Sequence, residues 1–115
     1  MENNDFWGIH KHHIVFRSQG GLDFDLNMIE LTQEEHEGNH GPHKSRERDL
    51  ELKRGLQEQL SELFPEGESF DIDTISTKLG RTRRYFEKYF KKVPNMAGMY
   101  PGFEVVKRLM GGRMY

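Results

Sequence analysis

This 115-residue chain has no cysteine, which excludes disulfides and thiolate zinc sites as sources of stability. Apolar residues are also sparse, with a hydrophobic fraction of 34% and a mean hydropathy of −0.87, so the core must be thin. No apolar run approaches the roughly 20 residues needed to cross a bilayer, and the N-terminal residues lack a signal-peptide core. A cytoplasmic protein with no membrane partner is the expectation. There is no internal repeat and no low-complexity tract. The length suits one compact domain, or a small motif with an appended helical module.

Charge is nearly balanced overall, at −2, but unevenly placed along the chain. Residues 1–70 carry 7 Lys/Arg against 15 Asp/Glu, whereas residues 71–115 carry 10 against 4. Nucleic-acid affinity comes largely from neutralising phosphates, so the carboxy-terminal part is the expected source of grip and the front part of chemistry.

Six histidines are present, and all of them fall between His10 and His43. His12 and His13 are adjacent on an expected strand, Asn27 follows, and His36 and His40 stand four apart. The runs Ile14-Val15-Phe16 and Met28-Ile29-Glu30-Leu31 are β-prone and are separated by the turn chemistry of Ser18-Gln19-Gly20-Gly21. Thr32-Gln33-Glu34-Glu35 fits a capping box, which opens a helix that places His36 and His40 on one face before Gly41-Pro42 ends it. The unit is strand, loop, strand, helix, and its histidines suit one divalent ion beside a basic imidazole. Alternation on a strand sends His12 and His13 to opposite faces, so one can bind metal while the other stays free. His10 is read as an exposed strand histidine, with an extra ligand or phosphate contact as the alternative, and His43, off the helix register of His36 and His40, as a surface histidine, with contact to metal or substrate as the alternative. Arg17 is expected either at a phosphate or in a salt bridge to Asp23 or Asp25.

This pattern resembles the HNH, or ββα-metal, nuclease family, and its spacing is similar to the all-histidine version found in colicin-type DNases. The resemblance covers about residues 9 to 44 and rests on His12-His13, Gly20-Gly21, Asn27, His36 and His40. It implies that His12 and His36 are metal ligands with His40 as a third, and that His13 is the general base. Asn27 would constrain the base-bearing loop or contact the metal. Many family members brace this unit with cysteine pairs around a structural zinc. Here packing must serve instead.

Hydrolysis of a phosphodiester requires a deprotonated water and stabilisation of charge on the phosphate and on the leaving oxygen. A metal on neutral imidazoles keeps open positions for those oxygens, and a free histidine titrates close to working pH. Imidazole ligands favour Zn, Ni or Mn over Mg.

Beyond the motif, Leu52, Leu56, Leu60, Leu63 and Phe64 recur at helical spacing, predicting one helix from Ser45 to Phe64 that Pro65-Glu66-Gly67 stops. This stripe is read as a brace for the ββα unit, with a homodimer seam as the alternative. Gly55 in its middle suggests close packing or a bend. Ile72, Ile75 and Leu79 predict a short helix ended by Gly80, and Thr82 caps a following helix bearing Tyr85, Phe86, Tyr89 and Phe90. This pair is loosely similar to the helix-turn-helix of arabinose-regulator-type activators. That likeness implies that Arg81, Arg83, Arg84 and Lys88 face DNA; the other reading is a solvated basic hairpin packed on the core. Residues 96–100 show no clear element, and Pro101 opens a last helix with Phe103, Val106 and Met110 as its apolar stripe.

The expected fold is therefore α+β: a ββα-metal core over residues 1–44, a bracing helix over 45–66 and a basic helical part over 67–115. The expected function is metal-dependent hydrolysis of DNA. The alternatives are an RNase using the same motif and a non-catalytic DNA-binding protein with a structural zinc. Small proteins of this family often belong to phage or mobile elements.

Overall fold

The computed structural model describes residues 9–32 and 45–115, and over these the fold is α+β. Strands β1 (Ile9–His13) and β2 (Met28–Thr32) form an antiparallel ladder with Ile9 opposite Thr32 and His13 opposite Met28. β2 falls where the sequence places it, but the first strand does not extend over Ile14-Val15-Phe16. The ladder closes with the Ile14 N–H donating to the Asn27 carbonyl at 2.8 Å. Beyond it the backbone of Val15 is bonded by the Asn27 side chain instead of a strand partner. Ile14 and Val15 turn into the core as the start of a loop.

That loop contains single 3-10 turns at Arg17–Gln19 and Asp25–Asn27. Its glycines are required by space. A Cβ on Gly21 would sit 1.9 Å from the Val15 carbonyl oxygen, so only a bare backbone can fold back against β1's exit. Gly20, at φ +85°, lies against the backbone of Gly111 near the chain's other end.

Helix α1 (Arg46–Leu63) starts on Ser45, whose hydroxyl accepts from the Arg48 N–H at 3.2 Å, and carries Glu47 and Asp49 in its first turn, where acidic side chains oppose the helix dipole. Leu56, Leu60 and Phe64 are buried, as the stripe predicts, with Leu52 and Leu63 packed at its margins. Gly55 departs from expectation. The helix continues through it, and a Cβ there would meet nothing within 4 Å, so it marks no close packing.

Helices α2 (Ile72–Leu79) and α3 (Arg83–Tyr89) form the expected pair. Asp71 caps the first through the Thr74 N–H, Gly80 ends it at φ +73°, and the Thr82 hydroxyl accepts from the Tyr85 N–H. A small second ladder was not legible in the sequence: β3 (Ser69–Phe70) pairs antiparallel with β4 (Tyr100–Pro101). Each strand is two residues long, too short for a periodic signal. Helix α4 (Gly102–Leu109) follows, with Val105, Val106, Leu109 and Met110 inside. Of the expected stripe, Val106 and Met110 are buried, but Phe103 is 40% exposed, and Val105 and Leu109 complete the buried face instead.

One hydrophobic cluster joins the loop residues Ile14, Val15, Leu22 and Phe24 to α1, α2, α3 and α4. No helix among the described residues is long and apolar enough to cross a membrane.

Candidate functional site

β1 ends on the two histidines. Alternation sends them apart: His12 is 7% exposed, its ring 5.2 Å from that of Phe16 in an edge-on contact, while His13 remains partly open to solvent. His13 meets a carboxylate that the loop brings back ten residues later, with Nε2 2.6 Å from Asp23 Oδ1. The hydrogen bond from His13 holds the Asp23 carboxyl below its ordinary value; partial burial opposes this, and Arg17 and Arg81 assist it. Asp23 is thus ionised near neutral pH and can only accept hydrogen bonds. Nε2 of neutral His13 therefore carries the hydrogen, and Nδ1 is the nitrogen left to take a proton.

Two guanidiniums border this pair. Arg17 Nη1 stands 3.6 Å from Asp23 Oδ2, the ion pair anticipated from the sequence. Arg81 lies on the ring of Tyr85, 4.0 Å from its centroid, and the Tyr85 hydroxyl accepts the Asp23 backbone N–H at 2.7 Å. The helical carboxy-terminal part therefore touches the loop beside His13. Arg108 adds a second tie, donating to the Tyr89 carbonyl at 2.8 Å and to the Gly20 carbonyl at 3.1 Å.

Asn27 is fully buried and spans the loop's two ends. Its Oδ1 accepts from the Val15 N–H at 2.8 Å, and its Nδ2 donates to the carbonyls of Leu22 at 2.8 Å and Val15 at 3.2 Å. Its side chain thereby fixes the segment leaving His13 to the segment entering Asp23. Behind the loop, Lys53 of α1 is also fully buried, with Nζ 2.6 Å from Asp49 Oδ1 and 4.4 Å from the centre of the Phe16 ring.

Of the residues singled out in the sequence, His12, His13, Arg17 and Asn27 are gathered at this hairpin, with Arg81 beside them through Tyr85. Thr32 closes β2, and His36, His40 and the helix expected to carry them lie outside the described residues. Among the described residues no group of three or more His, Cys, Asp or Glu side chains is placed to hold a metal ion, and His12 is the one member of the predicted ligand set that they include. Arg83 is engaged elsewhere, bonded to Glu87 at 2.8 Å and Asp73 at 3.2 Å in a tie between α2 and α3. Arg84 and Lys88 are exposed on α3.

Sequence reasoning passed over three residues. Asp23 was noticed only as an ion-pair partner of Arg17, although a carboxylate between the histidine pair and the central Asn is the signal that could have raised it. Tyr85, 62 residues from Asp23, was read only as part of a helix, and Lys53 looks like any charge on an amphipathic helix. Comparison of the chain with family models, with curated proteins and with solved structures finds no match to any of them.

Proposed function

We propose that this chain is a metal-dependent endonuclease of the HNH type that hydrolyses DNA phosphodiester bonds in the cytoplasm. One observation carries the reading: a part-exposed histidine at the end of a β-hairpin, backed by an ionised carboxylate, beside a second histidine that faces the other way. That arrangement supplies a proton acceptor and keeps its neighbour separate from it.

In this reading His13 takes the proton of the attacking water through Nδ1, while Asp23 orients the ring and stabilises the imidazolium that forms. Asn27 keeps the loop closed around both residues. Arg17 neutralises phosphate charge at the rim, and the exposed basic residues Arg81, Arg84 and Lys88 extend the contact along the nucleic-acid backbone. His12, with His36 and His40, would hold the divalent ion, and neutral imidazoles suit Zn, Ni or Mn better than Mg. When bound, that ion supplies Lewis-acid stabilisation of the phosphate and of the leaving oxygen.

The test is nicking of supercoiled plasmid across a panel of divalent ions and with chelator, run beside His13→Ala. Cleavage that needs the ion and vanishes in His13→Ala, while metal and DNA binding persist, is the expected result. Binding without cleavage in the wild type would instead make the chain a DNA-binding protein with a structural metal. Preference for a matched RNA would change the substrate.

A further inference from the structure

The geometry points to Asp23 and Tyr85 as positioning residues that join the helical carboxy-terminal part to the base: Tyr85 holds the Asp23 backbone, and Asp23 holds His13. The inference rests on the nuclease reading for its catalytic meaning, but its geometry stands on three observations of its own. The Asp23 carboxylate is 2.6 Å from His13 Nε2, the Asp23 N–H is 2.7 Å from the Tyr85 hydroxyl, and the guanidinium of Arg81 rests on the Tyr85 ring. A carboxylate on Nε2 selects the tautomer whose Nδ1 is free, and it prevents the ring from turning about its bond to the strand.

The Asp23 amide belongs to a loop that has no strand partner at this point, so the hydroxyl from α3 is what satisfies it. Helix α3 is in turn fixed to the same loop by Arg108, through the carbonyls of Tyr89 and Gly20. The charged groups around Asp23 are His13 on β1, Arg17 in the loop and Arg81 before α3. Arg81 thus stands at the edge of the site as a phosphate contact. Arg83, two residues on, is an internal tie between helices. The carboxy-terminal part is consequently a wall of the site and not a separable DNA-binding appendage.

The experiment uses the full chain and two independent readouts. The first is the proton NMR resonance of the His13 Nε2 hydrogen in metal-free protein, which a bond to a carboxylate shifts downfield and protects from exchange. It is expected in the wild type, absent in Asp23→Ala and Asp23→Asn, and broadened in Tyr85→Phe. The second is steady-state nicking. Asp23→Asn should lower kcat by about 100-fold, and by no less than Asp23→Ala, because the amide can offer Nε2 a donor and so select the wrong tautomer. KM for plasmid should stay level or fall in both, since a negative charge is removed near the phosphates. Tyr85→Phe should lower kcat roughly three- to tenfold, the equivalent of one neutral hydrogen bond, while the protein stays folded by far-UV circular dichroism.

A wild-type resonance that persists in Asp23→Asn, or a kcat unchanged in both Asp23 variants of an active enzyme, would overturn the proposal. If the resonance behaves as expected and the wild type cleaves nothing with any ion, the hydrogen bond is confirmed. The nuclease reading then falls, and with it the catalytic role of the pair.

Discussion

Replacing Asn27 by Ala removes three hydrogen bonds at once and strands the groups they satisfy. The Val15 N–H, the Val15 carbonyl and the Leu22 carbonyl all bond to this one side chain, which is itself 0% exposed. Each buried polar group left without a partner costs about 1–3 kcal/mol. The donor suffers most, because each carbonyl can be reached more easily by a water entering the space the amide leaves. A total of about 3–5 kcal/mol follows, a large part of the roughly 5–15 kcal/mol by which such domains are stable. In urea, with a slope of about 1.5 kcal/mol per molar, the midpoint followed by far-UV circular dichroism should fall by about 2–3 M at unchanged slope. Asn27→Asp discriminates further. Its carboxylate keeps the bond from Val15 N–H but turns a second oxygen toward two carbonyls, so it must take up a proton to replace the lost donor. A carboxyl whose value is raised by folding stabilises the native state as pH falls, so Asn27→Asp should be at least as unstable as Asn27→Ala near neutrality and recover on acidification. A loss under about 1 kcal/mol for Asn27→Ala, or an Asn27→Asp variant indifferent to pH, would refute the claim that this side chain closes the loop.

Further expectations follow from the same packing. Gly55→Ala should stabilise the protein by roughly 0.5–1 kcal/mol in the same urea titration, because the helix interior gains propensity and the new methyl meets nothing; a destabilised variant would mean that another surface covers this face. Asp49→Ala should cost about 3 kcal/mol by leaving the buried Lys53 ammonium without its carboxylate, and pairing it with Lys53→Met should restore most of that loss. Additive effects in this double-mutant cycle would show that the two groups do not interact. Asp23 has its carboxyl value lowered by folding, so its contribution is present above the unfolded value of about 4 and lost as pH falls through the lower, folded one. The side chain is 39% exposed, which limits the effect to about 1 kcal/mol or less. Asp23→Asn should therefore approach wild-type stability as pH falls below about 4; an unchanged difference on acidification would contradict the ionised pair.

What could be read from the sequence were features whose cause is local. Thr82 caps the helix it was expected to cap, Gly80 ends α2 in the left-handed conformation, and the Leu56–Leu60–Phe64 stripe is buried. The failures have non-local causes. Ile14-Val15-Phe16 has every β-forming property, yet Asn27 takes the Val15 backbone and the ladder stops at His13. The β3–β4 pair joins residues some thirty apart through two-residue strands, and nothing in either stretch announces the other. In the candidate site, His12, His13 and Asn27 could be picked out by type and spacing. The oxygen that orients His13 could not, because it depends on a loop turning back on itself and on a tyrosine 62 residues further along the chain.

The lack of cysteine makes the support of the hairpin a physical question, and four side chains supply much of the answer. A metal-bound brace would fix the strands from outside with strong bonds at a few points. Here Asn27 fixes the loop from within, Lys53 packs its ammonium against Phe16 behind it, and Tyr85 and Arg108 hold it from the carboxy-terminal side. Each of these ties is worth only a few kcal/mol at most, so none can act as a staple alone. They hold because they close on the same loop from different elements, and the one hydrophobic cluster that includes Val15, Leu22 and Phe24 excludes water from behind it. A hairpin held in this way depends on the helices packed against it as much as on its own strands. The helices after residue 45 hold the loop that gives His13 its setting, and the exposed basic residues of α3 belong to the same structure that orients that ring.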